Sequence, residues 1–477
     1  MQASNLPLEH HASLPAVRTQ ATDHSSPLPL CFVGLCLYFL SQGYLVPLAA
    51  IGPSWAIWPR IADFAGLFMA GACLWQWRQA ERLPKPLATI TFWLMVFLWL
   101  SAISLIAQTI ISPKLYWNGP RMGEAVQWGI YQLARLIQFI ALFVCAAYTP
   151  LTETRRRWLV GVSTTVLWFV IITVLLTYTG TITYESVVAH LPESPDVSGP
   201  WASFGESFDG LGYISYNHAY TAVQLVLLFS LHLSLTRCQF NTANLLLLVA
   251  VSLGVFLSGS RAGFAAMLVL VAPCLWTWVR RGGILPLVWA GTVGCTIFAT
   301  MLIAPSFFKV RGLTDFKQQI EDLVVRQTST FEGYKSDNLA GRTDIWKWHL
   351  DSLEERPWTW VVGYGFGSAI TRGNQAHMQP LNMVSEMGLI GLGVGLVLMV
   401  IVLKTLWEME PPGHPYLWGS LALLFTSLTQ ETFYPVAAMG HFPGFYLFGL
   451  AICLRLAIDL PPTPELPQST STPATTS

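Results

Sequence analysis

The sequence predicts an all-α membrane protein with about twelve transmembrane helices and one large, partly helical loop outside the membrane. Two observations carry this prediction. Charged residues make up 11% of the 477-residue chain, whereas soluble domains carry about 25%. Apolar runs long enough to cross a bilayer recur along the whole length, and they must be helical because lipid offers unpaired backbone groups no partner. Lys plus Arg and Asp plus Glu balance at 26 each, so net charge gives no sign of a nucleic-acid partner.

The apolar runs form one membrane domain at 28–460 between two polar tails. We place the spans at 28–46, 57–77, 87–108, 126–148, 158–178, 218–236, 243–259, 262–280, 284–304, 383–405, 415–432 and 441–459. The tail 1–27 has no basic cluster, so the run behind it is a first span rather than a signal peptide. The tail 461–477 is rich in Pro, Ser and Thr and is expected to be disordered.

Basic residues in the short loops predict the orientation of the helices. With the N-terminus in the cytoplasm, most of these residues fall on the cytoplasmic side, including the triplet at 155–157. Three segments then lie outside the cell membrane, at 180–217, 258–263 and 305–382. The last is a polar loop of unusual length, and we expect the chemistry of the protein there.

The outer segment 305–382 is expected to contain a helix of its own. Thr343 can cap that helix, and Asp344 in the first turn suits the positive end of the helix dipole. Arg342 then lies at the helix start, where backbone N–H groups favour an anion. We interpret the glycine-rich run 363–367 as a flexible turn rather than a dinucleotide fingerprint, because it follows no strand.

Two arginines near the membrane are candidates for binding an anionic substrate. Arg261 lies in a turn of small residues on the outer side. A guanidinium at a membrane face is costly, and its fork matches a phosphate, although a snorkelling Arg that anchors a span end is the simpler alternative. Arg135 lies inside the fourth span, where an ion pair with Glu124 and a substrate contact account for it equally well. Arg121, in the preceding loop, is a weaker candidate.

His377 is the candidate base, and it stands outside the membrane just ahead of the tenth span. An imidazole titrates near neutrality and can accept a proton from a hydroxyl, although a lone loop histidine is most often only solvated. His349 and His190 compete with it, and His349 is expected to pack. The acidic residues and the eight cysteines show no metal-ligand spacing, so we expect neither a metal nor a cofactor.

Four stretches resemble motifs of the bacterial O-antigen ligase and polymerase superfamily, in order and in spacing. The turn at 257–263 is similar to its Ser-x-Ser-Arg-x-Gly motif, and 341–346 to its Gly-Arg-x-x-x-Trp element. The run 363–367 is similar to its Gly-x-Gly-x-Gly turn, and 376–391 to its His-Asn…Glu-x-Gly-x-x-Gly element. Two features depart from the pattern. Met378 stands where the family usually has Asn, and no Arg or Lys lies between 180 and 217.

The resemblance implies a metal-independent, inverting glycosyltransferase similar to the C-type multi-span enzymes. Its donor would be a glycan on undecaprenyl pyrophosphate, and its acceptor a hydroxyl of the lipid A core or of another glycan. The reaction would take place at the periplasmic face of the bacterial inner membrane. The pyrophosphate leaving group needs charge stabilisation, which Arg261 and Arg342 would supply, with Arg135 as a third contact. His377 would be the base.

Ligases, polymerases and protein-directed transferases share these motifs, so the sequence leaves the acceptor, the sugar, the linkage and the oligomeric state open. The alternative of a different class is a polysaccharide or lipid transporter. That alternative predicts broken helices and buried ionisable residues in both halves of the chain.

Overall fold

A computed structural model shows a bundle of α-helices, and none of the residues it describes lies in a β-strand. The described residues are 29–49, 51, 58–76, 82–111, 122–178, 181–182, 186–187, 189–191, 213, 218–282, 284–285, 288–289, 291–292, 294–295, 342–371, 376–409, 414–430, 432–433 and 441–460. Within them, six helices are long and apolar enough to cross a membrane, and four more are apolar but shorter. The predicted all-α membrane fold is confirmed.

The helices follow the predicted spans closely. In chain order they are α1 (Leu30–Ser41), α2 (Ile61–Gln76), α3 (Lys85–Ile111), α4 (Met122–Ala147), α5 (Glu153–Tyr178), α6 (His218–Leu235), α7 (Thr242–Leu257), α8 (Arg261–Gly282), α9 (Arg342–Glu355), α10 (Thr359–Val362), α11 (Ser368–Thr371), α12 (Gln379–Glu408), α13 (His414–Ser427) and α14 (Phe442–Asp459). Only scattered residues of the predicted span 284–304 are described. The tails 1–27 and 461–477, Arg121 and the segment 305–341 lie outside the described residues.

Helix α6 is the centre of the bundle. Its side chains from Ala219 to Leu235 are all buried, as expected for a helix that is apolar on every side. It packs against α5, α7, α8 and α13. The buried His232 imidazole uses both ring nitrogens, one 2.8 Å from the Ser163 hydroxyl of α5 and one 3.0 Å from the Asn244 amide oxygen of α7. A buried polar group is stable when it is paired in this way.

One end of the bundle joins the ends of α4, α6, α8 and α14 to the start of α5. Its contacts are hydrogen bonds from Arg455 to the Ala147 carbonyl at 2.6 Å, from Arg156 to the Leu235 carbonyl at 2.6 Å, from the Leu151 N–H to Asp459 at 2.7 Å and from Trp278 to the Cys238 carbonyl at 2.9 Å. The basic residues at 155–157 lie at this end. It is the end that the sequence predicts to be cytoplasmic.

The opposite end holds the starts of α2, α12 and α14. There His441, just ahead of α14, contacts Asp63 in the first turn of α2. The Phe433 N–H, beyond the end of α13, donates to the Gln379 side chain at the start of α12. The residues proposed for chemistry from the sequence lie on elements of this end.

Candidate active site

Helix α12 is broken nine residues after its first residue, Gln379. Gly388 has φ 67° and ψ −169°, which no α-helix contains. The break leaves carbonyl groups without helical partners, and the glycine-rich run supplies the missing donors. The Tyr364 N–H donates to the Ser385 carbonyl at 2.8 Å, and the Gly365 N–H donates to the Glu386 carbonyl at 2.8 Å. Non-helical backbone is tolerated within a membrane-spanning segment where protein groups form hydrogen bonds with it.

The glycine loop, residues 363–367, is buried and closely packed. Its three glycines have φ values of 72°, 112° and 87°, a region that other residues rarely adopt. A Cβ at Gly363 would lie 2.3 Å from the Glu386 backbone, and one at Gly367 would lie 2.5 Å from the Gly129 Cα of α4. The sequence predicted a turn here but did not reveal that the turn lies between α12, α3 and α4.

The Glu386 carboxylate holds the glycine loop and the residues after it through two backbone hydrogen bonds. It is 1% exposed, and it accepts the Gly367 N–H at 2.9 Å and the Ala369 N–H at 3.0 Å. The second of these lies in the first turn of α11, where a negative charge is favourable. A buried carboxylate needs such donors. The sequence pointed to Glu386 as part of a motif but gave no role, and the structure assigns it to positioning the loop.

His377 lies just ahead of α12, and two hydrogen bonds hold the residue before it, Ala376. The Trp346 indole N–H of α9 donates to the Ala376 carbonyl at 2.7 Å. The Ala376 N–H donates to the Asn382 side chain at 2.9 Å. His377 itself is half-buried and has φ 49°, a left-handed conformation that a non-glycine residue adopts at some energetic cost and often at functional positions.

Helix α9 brings Arg342 to the same place. It begins at Arg342, one residue before the predicted cap, with Asp344 in its first turn as predicted. Trp346 follows Arg342 by four residues, and side chains at that spacing are neighbours, with Cβ atoms about 5–6 Å apart. The Trp346 hydrogen bond joins this first part of α9 to the backbone beside His377.

The remaining contacts of α9 are structural. The His349 ring lies 2.8 Å from the Ser385 hydroxyl and is fully buried, so His349 packs as predicted. The Tyr364 hydroxyl donates to the Ser352 carbonyl. These contacts fix α9 onto the broken part of α12.

Arg261 is the first residue of α8 and is half-buried. The turn before it is built from buried serines: the Ser260 hydroxyl accepts the Gly263 N–H at 3.0 Å and caps the helix. A Cβ at Gly263 would lie 2.4 Å from the Ala222 Cβ of α6, so this turn is seated on the central helix. Helix α13 packs against both α8 and α12.

Arg135 lies in a buried polar cluster near the start of α14. Its guanidinium pairs with Asp63, and it lies 2.8 Å from the Gln138 oxygen and 3.2 Å from the His441 ring. The Arg135 and Asp63 side chains are 12% and 15% exposed. The sequence suggested Glu124 as its partner, but the carboxylate that it meets is on α2, 72 residues away. The side chain of Glu124 lies outside the described residues.

Two cavities flank α12. The first has a volume of about 140 Å³, is almost entirely apolar, and lies among α3, α4, α12, α13 and α14. Gln379 and Pro380 lie at one end of it, and Val402, beyond the break, lines it farther along α12. The second has a volume of about 230 Å³ and lies between α3, the glycine loop and α12.

Comparison with known proteins agrees with the resemblance seen in the sequence. A family model described as O-antigen ligase matches residues 246–396. That range contains the Arg261 turn, α9, the glycine loop and the broken part of α12, which are the elements described above. The comparison with curated proteins gave no match. The chain is therefore a multi-pass helical membrane protein whose residues 246–396 are similar to the O-antigen ligase family.

Proposed function

We propose that the protein transfers a glycan from undecaprenyl pyrophosphate to an acceptor hydroxyl, in the lipid A core or in another glycan. The reaction is metal-independent, inverts the anomeric centre and takes place at the periplasmic face of the bacterial inner membrane. The observation that supports the proposal is the hydrogen bond from Trp346 to the Ala376 carbonyl, because it joins the first part of α9, which begins at Arg342, to the backbone beside His377.

The chemistry needs one base and a site for an anionic leaving group. His377 accepts the proton of the acceptor hydroxyl while that oxygen attacks the anomeric carbon. The bond from this carbon to the pyrophosphate breaks, and the pyrophosphate leaves as an anion on its lipid. Arg342 and Arg261 stabilise the developing charge, since guanidinium groups bind phosphate oxygens in pairs.

The proposed metal-free reaction assigns donor binding to arginines. Both of the proposed arginines begin helices, where backbone N–H groups add to the positive field.

The first cavity has the chemistry of a site for the carrier lipid. It is apolar, it lies among membrane-spanning helices, and it begins at Gln379, two residues after His377. An isoprenoid chain in this cavity would place its pyrophosphate near the start of α12. This placement supports a lipid-linked donor.

Arg135 as a third pyrophosphate contact stays a prediction. Its charge is already shared with Asp63, so its attraction for a second anion is reduced. We propose that its contribution to donor binding is small.

A deletion strain separates the two members of this superfamily. Single repeat units on the lipid A core would indicate a polymerase, and full-length glycan left on the carrier would indicate a ligase. A surface glycan identical to that of the parent strain would refute both. A transporter predicts broken helices in both halves, and the break described above belongs to α12 in the second half.

The mechanism is tested with purified protein and a glycan on undecaprenyl pyrophosphate. Transfer should continue in the presence of a chelator, and loss of transfer there would refute a metal-free reaction. His377→Ala should abolish transfer and leave donor binding unchanged. His414→Ala is the matched control, because His414 is exposed at the start of α13, and it should transfer at the rate of the original chain. Normal transfer by His377→Ala would exclude this residue as the base.

A further inference from the structure

The second cavity contains a buried amide whose hydrogen-bonding groups are unused. Gln108, near the end of α3, is 3% exposed and lines this cavity. Neither its amide nitrogen nor its amide oxygen has a partner among the residues that the structure describes. Buried polar groups nearly always have partners, so an amide with two unused ends needs an explanation.

The fold holds this amide in place. A Cβ at Gly365 would lie 2.3 Å from the Gln108 Cβ, so the glycine loop rests directly on the Gln108 side chain. The hydroxyls that line the same cavity are already engaged: Ser104 donates to the Glu386 carbonyl at 3.2 Å, and Tyr364 donates to the Ser352 carbonyl. The Gln108 amide is therefore available to bind a ligand.

The chemistry of the cavity selects its ligand. An amide offers one donor group and one acceptor, which a hydroxyl complements because it can donate and accept. A phosphate does not suit the cavity, because it only accepts and none of the described residues that line the cavity is charged. The rim of the cavity is apolar, and Ile103, Ile390 and Trp358 are 60%, 47% and 44% exposed. Tryptophan in such a position is typical of the membrane interface.

We propose that this cavity binds a hydroxyl-bearing part of a glycolipid acceptor, whose apolar body lies against the rim. The proposal rests on the proposed glycosyl transfer and names the place of its second substrate. The volume of about 230 Å³ is far above the roughly 10–15 Å³ that one water needs. Gln379 lies at the start of α12, and Met387 lines the cavity. The two residues are about 12 Å apart along a helix axis. The acceptor must therefore be an extended molecule, with its reacting hydroxyl at His377 and a second group at Gln108.

Binding to purified full-length protein in detergent tests this proposal without a need for turnover. The probes are rough lipopolysaccharide with a complete core, as the acceptor, and undecaprenyl pyrophosphate. The variant is Gln108→Met, which keeps the side-chain length and removes the amide, with Gln108→Leu as a second variant. Gln132→Met is the matched control, because Gln132 is a buried glutamine on α4 with an unpaired amide oxygen that lines neither cavity.

We expect the Kd for rough lipopolysaccharide to rise roughly tenfold in the Gln108 variants and to stay unchanged in the control. The Kd for undecaprenyl pyrophosphate should not change in any variant. Without ligand, the Gln108 variants should unfold at the same or a higher temperature than the original chain, since they lack a buried unpaired amide.

Equal binding of rough lipopolysaccharide by the original chain and both Gln108 variants would overturn the proposal. A trapped water would then be the partner of the Gln108 amide. Failure of the original chain to bind this probe would overturn it too. A separate result would refute the proposed function itself, namely a deletion strain that keeps a normal surface glycan. Loss of that glycan together with unchanged binding by the Gln108 variants would refute the acceptor site alone.

Discussion

The break in α12 makes Gly388 the position where a single methyl group should do most damage. A Cβ there would lie 2.1 Å from the Val361 carbonyl oxygen and 2.4 Å from the Val362 nitrogen, and both are backbone atoms that cannot turn aside. A φ of 67° with a ψ of −169° is essentially restricted to glycine and costs an alanine about 1–3 kcal/mol. The forced overpacking costs about 1–3 kcal/mol more. Gly388→Ala should therefore lower the free energy of unfolding by about 2–6 kcal/mol.

Gly393→Ala is the matched control on the same helix. A Cβ at Gly393 meets nothing within 4 Å, and alanine stabilises a helix interior by about 0.5–1 kcal/mol relative to glycine. Purified variants are unfolded with increasing SDS, and tryptophan fluorescence reports the transition. Gly393→Ala should unfold with or after the original chain, and Gly388→Ala well before it. If the two variants unfold together, α12 is not clamped to α10 at its break.

Three further predictions concern charged groups. Arg135→Met should lower the free energy of unfolding by about 3–5 kcal/mol, because it leaves the buried Asp63 carboxylate without its guanidinium partner. The double variant with Asp63→Leu should lose less in the same SDS titration, and an equal or larger loss would contradict the pairing. Glu386→Gln should lower the free energy of unfolding by about 1–3 kcal/mol, because the new N–H₂ group would face a backbone N–H donor. Its control is Glu354→Gln, a substitution on the exposed face of α9. Arg342→Gln should raise the donor KM roughly 10-fold or more, and Arg342→Lys should restore only part of it. A donor KM unchanged in Arg342→Gln would remove this residue from the pyrophosphate site.

The membrane helices could be predicted because an apolar run long enough to cross lipid has few alternatives to a helix. The start of α9 could also be predicted approximately, because Asp344 and the residues around it are local signals for the start of a helix. The break at Gly388 was not, because its backbone conformation depends on contact with Val361, which is remote in sequence. Glycine permits such a conformation but does not require it.

The partner of Arg135 was missed for a similar reason. The sequence offered Glu124 because that residue is near along the same span, whereas Asp63 lies on another helix. A signal was present in the sequence, since Asp63 and Arg135 are opposite charges within apolar runs, and each is costly there without a partner. Gln108 gave no such signal, because an uncharged amide near a helix end is unremarkable until its surroundings are known.

The burial of α6 has a consequence for how the chain is assembled during synthesis. His232 and Gln224 lie within this helix, and polar side chains make insertion of an isolated helix into lipid unfavourable. The groups that satisfy His232 are Ser163 of α5, made earlier, and Asn244 of α7, made later. Helix α6 therefore becomes a stable membrane segment only once α7 has emerged from the ribosome. Truncation between α6 and α7 should leave a nascent chain that is slow to leave the translocon, and truncation after α7 should release it.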